Sequence, residues 1–187
     1  MALEFSIEIT DQDLPFFMDA MKRAEQRAAG KSAQQILDDA AQTFASSQAR
    51  QMPEFVRSRL AGVENLIAMA ADEGWSLAPE DKSRVVSALT YFSDPEDLIP
   101  DNVPVLGFLD DAIMIEVVQG VLRPEIDAYG DFCAYRSQEA AARGTDAARL
   151  GREEWLEDRR AELQARMRSR RQSYAPSGNW TPRFKFT

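Results

Sequence analysis

The residues best suited to chemistry lie in an acidic run between positions 94 and 116. No lysine, arginine or histidine occurs between Arg84 and Arg123, and this interval contains seven carboxylates: Asp94, Glu96, Asp97, Asp101, Asp110, Asp111 and Glu116. Carboxylate oxygens are the ligands that hard cations prefer, and buried acids are costly unless they are hydrogen-bonded or paired. The run therefore indicates either a cation site or a set of structural hydrogen-bond acceptors.

We call residues 94–111 the acidic turn. A divalent cation, Mg²⁺ or Ca²⁺, would be held there by Asp97, Asp101, Asp110 and Asp111, although the spacing of a calcium-binding loop is absent. In the structural alternative, Asp94 is an N-cap before Pro95, and the paired aspartates fall in the first turn of a helix, where the helix dipole favours negative charge. We favour this structural role and expect no cofactor, with a metal site as the alternative.

The acidic turn also carries a resemblance. Its prolines and aspartates, followed by a paired Asp at a helix start, resemble the signature of the YkvA-like family, a bacterial domain of unknown function. The similarity covers about residues 83–122 and rests on Tyr91, Pro95, Asp97, Leu98, Ile99, Pro100, Asp101, Pro104, Leu106, Gly107, Asp110 and Asp111. Because the family has no established activity, the resemblance implies a helical unit and not a reaction.

The C-terminal part has the opposite charge. Residues 159–187 carry a formal charge of +7, which leaves −16 for residues 1–158 of the total of −9. Clustered arginines suit phosphate or carboxylate partners. The candidates for partner binding are Arg166, Arg168, Arg170 and Arg171. We expect the basic segment to pair with the acidic body or with another copy; a nucleic acid or an anionic membrane surface is the alternative.

The composition excludes several reaction types. The chain of 187 residues contains no histidine and one cysteine, Cys133, so it cannot form a Ser–His–Asp triad, a Cys–His pair or an intrachain disulfide. The N-terminus lacks the pattern of a signal peptide, and the most apolar stretch, residues 103–122, contains too many acids for a membrane span. We therefore expect a cytoplasmic protein without a transmembrane segment.

The elements that must position these residues are helical. Residues 4–9 alternate as in a short strand, and six segments with helical periodicity follow, punctuated by Gly30, Pro53, Gly74, Pro79 and Pro124. Residues 151–171 form a densely charged helix whose narrow apolar stripe is interrupted by Arg160. We predict an all-α multi-helix bundle with a proline- and aspartate-rich hairpin, in which residues 1–144 are the domain and 145–187 a charged helical extension with an irregular tail.

These observations favour a non-catalytic cytoplasmic interaction or scaffold protein, self-associating or binding a protein partner. Two hypotheses from other classes stay open. One is a divalent-metal-dependent hydrolase or metal-responsive domain that uses the acidic turn. The other is a nucleic-acid or membrane-surface binder that uses the basic segment.

Overall fold

A computed structural model of the chain describes residues 6–8, 10, 12–50, 52–96, 98–99, 103, 106–146, 154–173 and 183–185. Within these residues there are seven helices, which confirms the all-α prediction. They are α1 (Leu14–Arg27), α2 (Ala33–Ser47), α3 (Glu54–Ala71), α4 (Pro79–Phe92), α5 (Leu109–Val121), α6 (Arg123–Arg143) and α7 (Glu154–Ser173). Two short strands, β1 (Ser6–Glu8) and β2 (Arg183–Lys185), pair antiparallel, with Ile7 opposite Phe184.

The helix ends follow local sequence chemistry. Ser32 and Gln35 form a reciprocal capping box at the start of α2: the Gln35 amide donates to Ser32 Oγ at 3.2 Å, and the Ser32 amide donates to Gln35 Oε1 at 2.8 Å. Pro79 opens α4, because a first helical residue needs no free amide. Gly144 ends α6 at φ +63°, in the left-handed region that glycine adopts without strain.

The core lies around helices α3 and α4, each of which packs against four other helices. Helix α3 packs against α2, α4, α5 and α6, and α4 packs against α1, α2, α3 and α5. Most side chains of their apolar stripes are buried, as the periodicity predicts, and Ile67 and Val86 are partly buried. The side chains that fill this core include Leu60, Val63, Leu66, Val85, Leu89, Met114, Ile115 and Leu122.

Helix α7 packs along α6. Leu156, Leu163 and Met167 are buried, so the narrow apolar stripe of this charged helix faces the rest of the protein. Arg160 lies on the same side, as predicted, and donates through Nη1 to the carbonyl of Gly74 at 3.2 Å. Gln164 donates to the carbonyl of Trp75 at 3.1 Å, so α7 also holds the turn that follows α3.

Candidate functional site

The paired aspartates of the acidic turn lie in the first turn of α5, as predicted, and both are buried. Asp110 is 2% exposed and Asp111 is 1% exposed. The other two candidate ligands, Asp97 and Asp101, lie outside the described residues. The four-residue cation site therefore stays a prediction, and the geometry that follows concerns Asp110 and its neighbours.

Asp110 is a hydrogen-bond acceptor for three groups from outside its own helix. Its Oδ2 atom accepts from the hydroxyl of Tyr91 at 2.8 Å, the amide of Leu98 at 2.9 Å and the amide of Ile99 at 3.0 Å. Tyr91 comes from the end of α4, and the two amides belong to the turn between α4 and α5. A carboxylate suits this position because hydrogen bonds to a charged acceptor are stronger than neutral ones. Asp110 thus joins the two helices of the hairpin to the turn that connects them.

Tyr91 is fixed as the donor in this group. Burial of its side chain, the negative charge of Asp110 and the hydrogen bond to it raise the pKa of Tyr91 far above its ordinary value, and Asp111 adds to the effect. The phenol therefore keeps its proton throughout the physiological range and donates to Asp110. This is the behaviour of a structural hydroxyl rather than of a base.

Asp94 has a different role from the predicted one. No helix begins at Pro95; α4 ends at Phe92, and Asp94 lies in the turn beyond it, so the predicted N-cap is wrong. Asp94 Oδ1 accepts from the Glu96 amide at 3.2 Å, which is a local turn contact. Asp94 Oδ2 accepts from Arg27 Nε at 2.8 Å. The local pattern of Asp before Pro was real, but it closes a turn instead of starting a helix.

The acids of the run obtain their positive partners from distant helices. Arg27, at the end of α1, contacts Asp94 and lies 3.3 Å from Glu96 through Nη1. Arg59, on α3, lies 3.6 Å from Glu116 through Nε. The sequence contains no basic residue nearby, and local spacing gives no signal for pairs that are separated by more than 50 positions. These acids are therefore compensated, although the sequence suggested that they were not.

The start of α5 is a strained position. Phe108, the N-cap residue, has φ +64°, a left-handed conformation that is unfavourable for a bulky side chain. Its ring is buried, and the guanidinium carbon of Arg50 lies 5.6 Å from the ring centroid. Such a conformation persists only where contacts with the surrounding residues offset its conformational strain. The strained residue lies directly before α5, two positions before Asp110.

The second carboxylate oxygen of Asp110, Oδ1, is buried and has no hydrogen-bond partner among the described residues. A buried carboxylate oxygen of this kind normally has a bound water or ion as its partner. Within the described part of the chain, no group of three or more histidine, cysteine, aspartate or glutamate side chains has the arrangement of a metal site.

A second polar cluster escaped the sequence analysis. Asp72, directly after α3, accepts from Arg136 Nη2 at 2.7 Å, from the Tyr129 hydroxyl at 3.1 Å and from the Trp75 amide at 3.1 Å. Burial alone would raise the pKa of Asp72, but the hydrogen bond and charge of Arg136 outweigh it, and the pKa is lowered. Tyr129 and Arg136 lie on α6, and the acid that they share follows α3, so local spacing in the sequence gave no signal for the cluster. The cluster ties α3 to α6 and positions Trp75.

The structure describes the side chains of two of the four candidate arginines of α7, and both are exposed. Arg166 is exposed and pairs with Glu162 of the same helix, and Arg168 is exposed with no ion pair among the described residues. The side chains of Arg170 and Arg171 lie outside the described residues. The ion pairs that the structure describes for α7 are all within the helix, with Arg159 and Arg166 on Glu162 and Arg160 on Glu157. Pairing of this segment with the acidic body stays a prediction.

The fold and this site define an all-α protein built around a helical hairpin whose turn is held by a buried carboxylate. Residues 81–116, which contain the hairpin turn, match the family described as "Protein of unknown function (DUF1232)". YkvA-like families carry this domain, so the predicted resemblance is confirmed. No curated protein and no solved structure matched the chain. Among the described residues, none of the helices combines the length and the apolar character that crossing a membrane would need.

Proposed function

We propose that this chain is a non-catalytic interaction module that associates with a second copy of itself through the C-terminal half of α7. The observation that carries the proposal is the charge segregation along this helix. After Glu162, α7 contains no acid, and its charged residues are Arg166, Arg168, Arg170 and Arg171, which we call the arginine end. Arg168 is exposed and has no ion pair in the described part of the protein. An arginine held without a carboxylate partner is available to one on another molecule.

The partner is an acidic protein surface, and residues 1–158 of a second copy carry an excess of acids. Residues 1–158 carry a formal charge of −16 against +7 for residues 159–187. Glu64 on α3 and Asp131 on α6 are exposed, and neither has an ion pair among the described residues. Opposite charges on separate surfaces of one chain steer two copies towards each other.

The non-catalytic part of the proposal is supported by the hydrogen bonds and ion pairs that the acids make within the fold. Three donors on Asp110 Oδ2, and the positive partners of Asp94 and Glu116, give these carboxylates structural duties. A general acid or base needs instead a carboxylate that faces a substrate cavity.

The test compares two charge reversals in the full chain by sedimentation velocity in 50 mM salt. The first variant changes Arg166 and Arg168 to Glu. The control changes Lys22 and Arg23, which are exposed on α1, to Glu, so that the net charge changes equally. We expect the first variant alone to lose the dimer. Equal loss in both variants would point to net charge, and binding of duplex DNA or anionic vesicles at 150 mM salt, lost in the first variant, would contradict a protein partner.

A second candidate function rests on the open oxygen of Asp110. Because Asp110 Oδ1 is buried without a hydrogen bond among the described residues, a Mg²⁺ or Ca²⁺ ion at the acidic turn is the alternative that this atom favours. Calorimetric titration with either ion tests it, with Asp110→Asn as the variant and Asp127→Asn on α6 as the control. The leading proposal predicts no saturable binding. A stoichiometric site of micromolar affinity that only Asp110→Asn abolishes would support the metal-dependent function instead.

A further inference from the structure

Helix α1 is held to the protein by a small apolar contact. The described helix that it packs against is α4, and the described side chains of α1 that are buried are Ala20, Met21 and Ala24. Of the larger apolar residues of α1, Phe17 packs partly buried against the core, whereas Phe16 is 59% exposed and Met18 is 48% exposed. Local opening is easiest where few apolar side chains are buried. By this measure α1 is a weakly held helix of the bundle.

Polar contacts of Glu25 and Arg27 fasten the end of α1. Ser87, on α4, donates a hydrogen bond to Glu25. Arg27 reaches beyond α4 to the following turn, where it bonds Asp94 and lies 3.3 Å from Glu96. The Asp94 side chain is 5% exposed, so its charge is shielded from water and depends on Arg27. The last residue of α1 therefore contacts the acidic turn directly.

The same turn is held from its other side by α5. Asp110 Oδ2 accepts from the amides of Leu98 and Ile99, which follow Asp94 and Glu96 by a few residues. The anchored residues on the two sides, Glu96 and Leu98, are two positions apart in the chain, so chain connectivity links a displacement of one anchor to the other. When two sets of contacts stabilise the same conformation of a segment, loss of either set weakens the other by the same free energy.

We propose that α1 is a reversible latch on residues 94–99: docking of α1 on α4 through Arg27 and the grip of Asp110 on the turn stabilise each other, so that release of α1 frees the turn. This device goes beyond the proposed function, since it lies away from the arginine end of α7. It makes the turn of the family-matched segment a two-state element whose populations α1 controls.

Amide hydrogen exchange on the full chain, followed by NMR, tests the latch. The variant is Arg27→Gln, and the control is Arg23→Gln, an exposed residue of the same helix with no ion pair among the described residues. We expect Arg27→Gln to speed exchange of the Leu98 and Ile99 amides by roughly 10- to 100-fold, the effect of losing a hydrogen bond between charged groups. The α6 amides, read in the same spectra, report any global loss of stability.

The reciprocal experiment separates coupling from simple proximity. Asp110→Asn, or Tyr91→Phe if the first variant does not fold, should speed exchange in the last two turns of α1, which neither residue contacts through a described hydrogen bond. Exchange of Leu98 and Ile99 that is the same in Arg27→Gln and Arg23→Gln would overturn the latch. So would unchanged exchange in α1 when the turn is loosened, or acceleration no greater than that of the α6 amides.

Discussion

Replacing Asp110 by alanine removes the acceptor of three hydrogen bonds at once, one buried and two part-buried. The Tyr91 hydroxyl and the amides of Leu98 and Ile99 would all lose their partner, at contacts that now measure 2.8, 2.9 and 3.0 Å. A buried donor without a partner costs about 1–3 kcal/mol, and such losses are not additive when the groups share one acceptor. We therefore expect Asp110→Ala to lower the free energy of unfolding by about 3–5 kcal/mol, well above the ~0.5–2 kcal/mol that is lost with a helix cap.

Two further variants show how much of this effect comes from Tyr91 and how much any exposed aspartate would contribute. Tyr91→Phe removes one donor and leaves the amide contacts, so it should cost about 1 kcal/mol. Asp127→Asn, in an exposed pair with Arg123, should change stability by at most about 0.5 kcal/mol. Urea unfolding followed by far-UV circular dichroism measures all three, with a constant m-value as the check on two-state behaviour.

The double variant tests the network itself. If the hydroxyl acts through Asp110, Tyr91→Phe should cost almost nothing once Asp110 is alanine, because its acceptor is already gone. A loss below about 1 kcal/mol for Asp110→Ala would refute the argument that this carboxylate organises the hairpin. Equal costs for Tyr91→Phe in both backgrounds would refute the coupling.

Three further predictions follow from other contacts. The pKa of Asp72 is lowered in the folded protein, so its contribution to stability is present above its unfolded pKa of about 4 and is lost as pH falls through the lower folded pKa. The difference in unfolding free energy between the parent and Asp72→Asn, measured by urea unfolding, should therefore be full at pH 6 and should shrink below about pH 4. A Cβ at Gly62 would lie 1.9 Å from Gln119 Nε2, so Gly62→Ala should stabilise by about 0.5–1 kcal/mol, the helix-propensity gain, in a Gln119→Ala background and by less in the parent, where Gln119 must move; equal effects would contradict this. Truncation after Gly144 should leave a cooperatively unfolding domain with a lower Tm, since α7 covers α6 with three buried side chains; loss of a cooperative calorimetric transition would show that α7 is indispensable.

The helices could be predicted from the sequence because their signals are local. Ser32 and Gln35 are three residues apart, Pro79 opens a helix directly, and the paired aspartates stand in the first turn of α5, as expected. Asp94 misled the prediction because an Asp–Pro pair suits a helix start and a turn equally well. The choice between them depends on Arg27, which is 67 residues away in sequence.

The candidate site was predictable in position but not in chemistry. The sequence located the acids around Asp110, whereas the identity of their partners depends on which helices pack together. Tyr91 was visible only as part of the family resemblance, and its hydrogen bond to Asp110 spans 19 residues. Asp72 gave no signal, because its partners Tyr129 and Arg136 come from α6, more than 50 positions later.

The salt dependence of self-association in the unmodified chain tests the proposed function most directly. Sedimentation equilibrium between 50 and 500 mM salt gives the dimer dissociation constant at each salt concentration. Exposed charges are screened beyond roughly 10 Å at 0.1 M salt, so an association carried by the arginine end should weaken steadily as salt is added. A dimer whose dissociation constant does not change or falls with salt, or a chain that stays monomeric at 50 mM salt, would contradict the account.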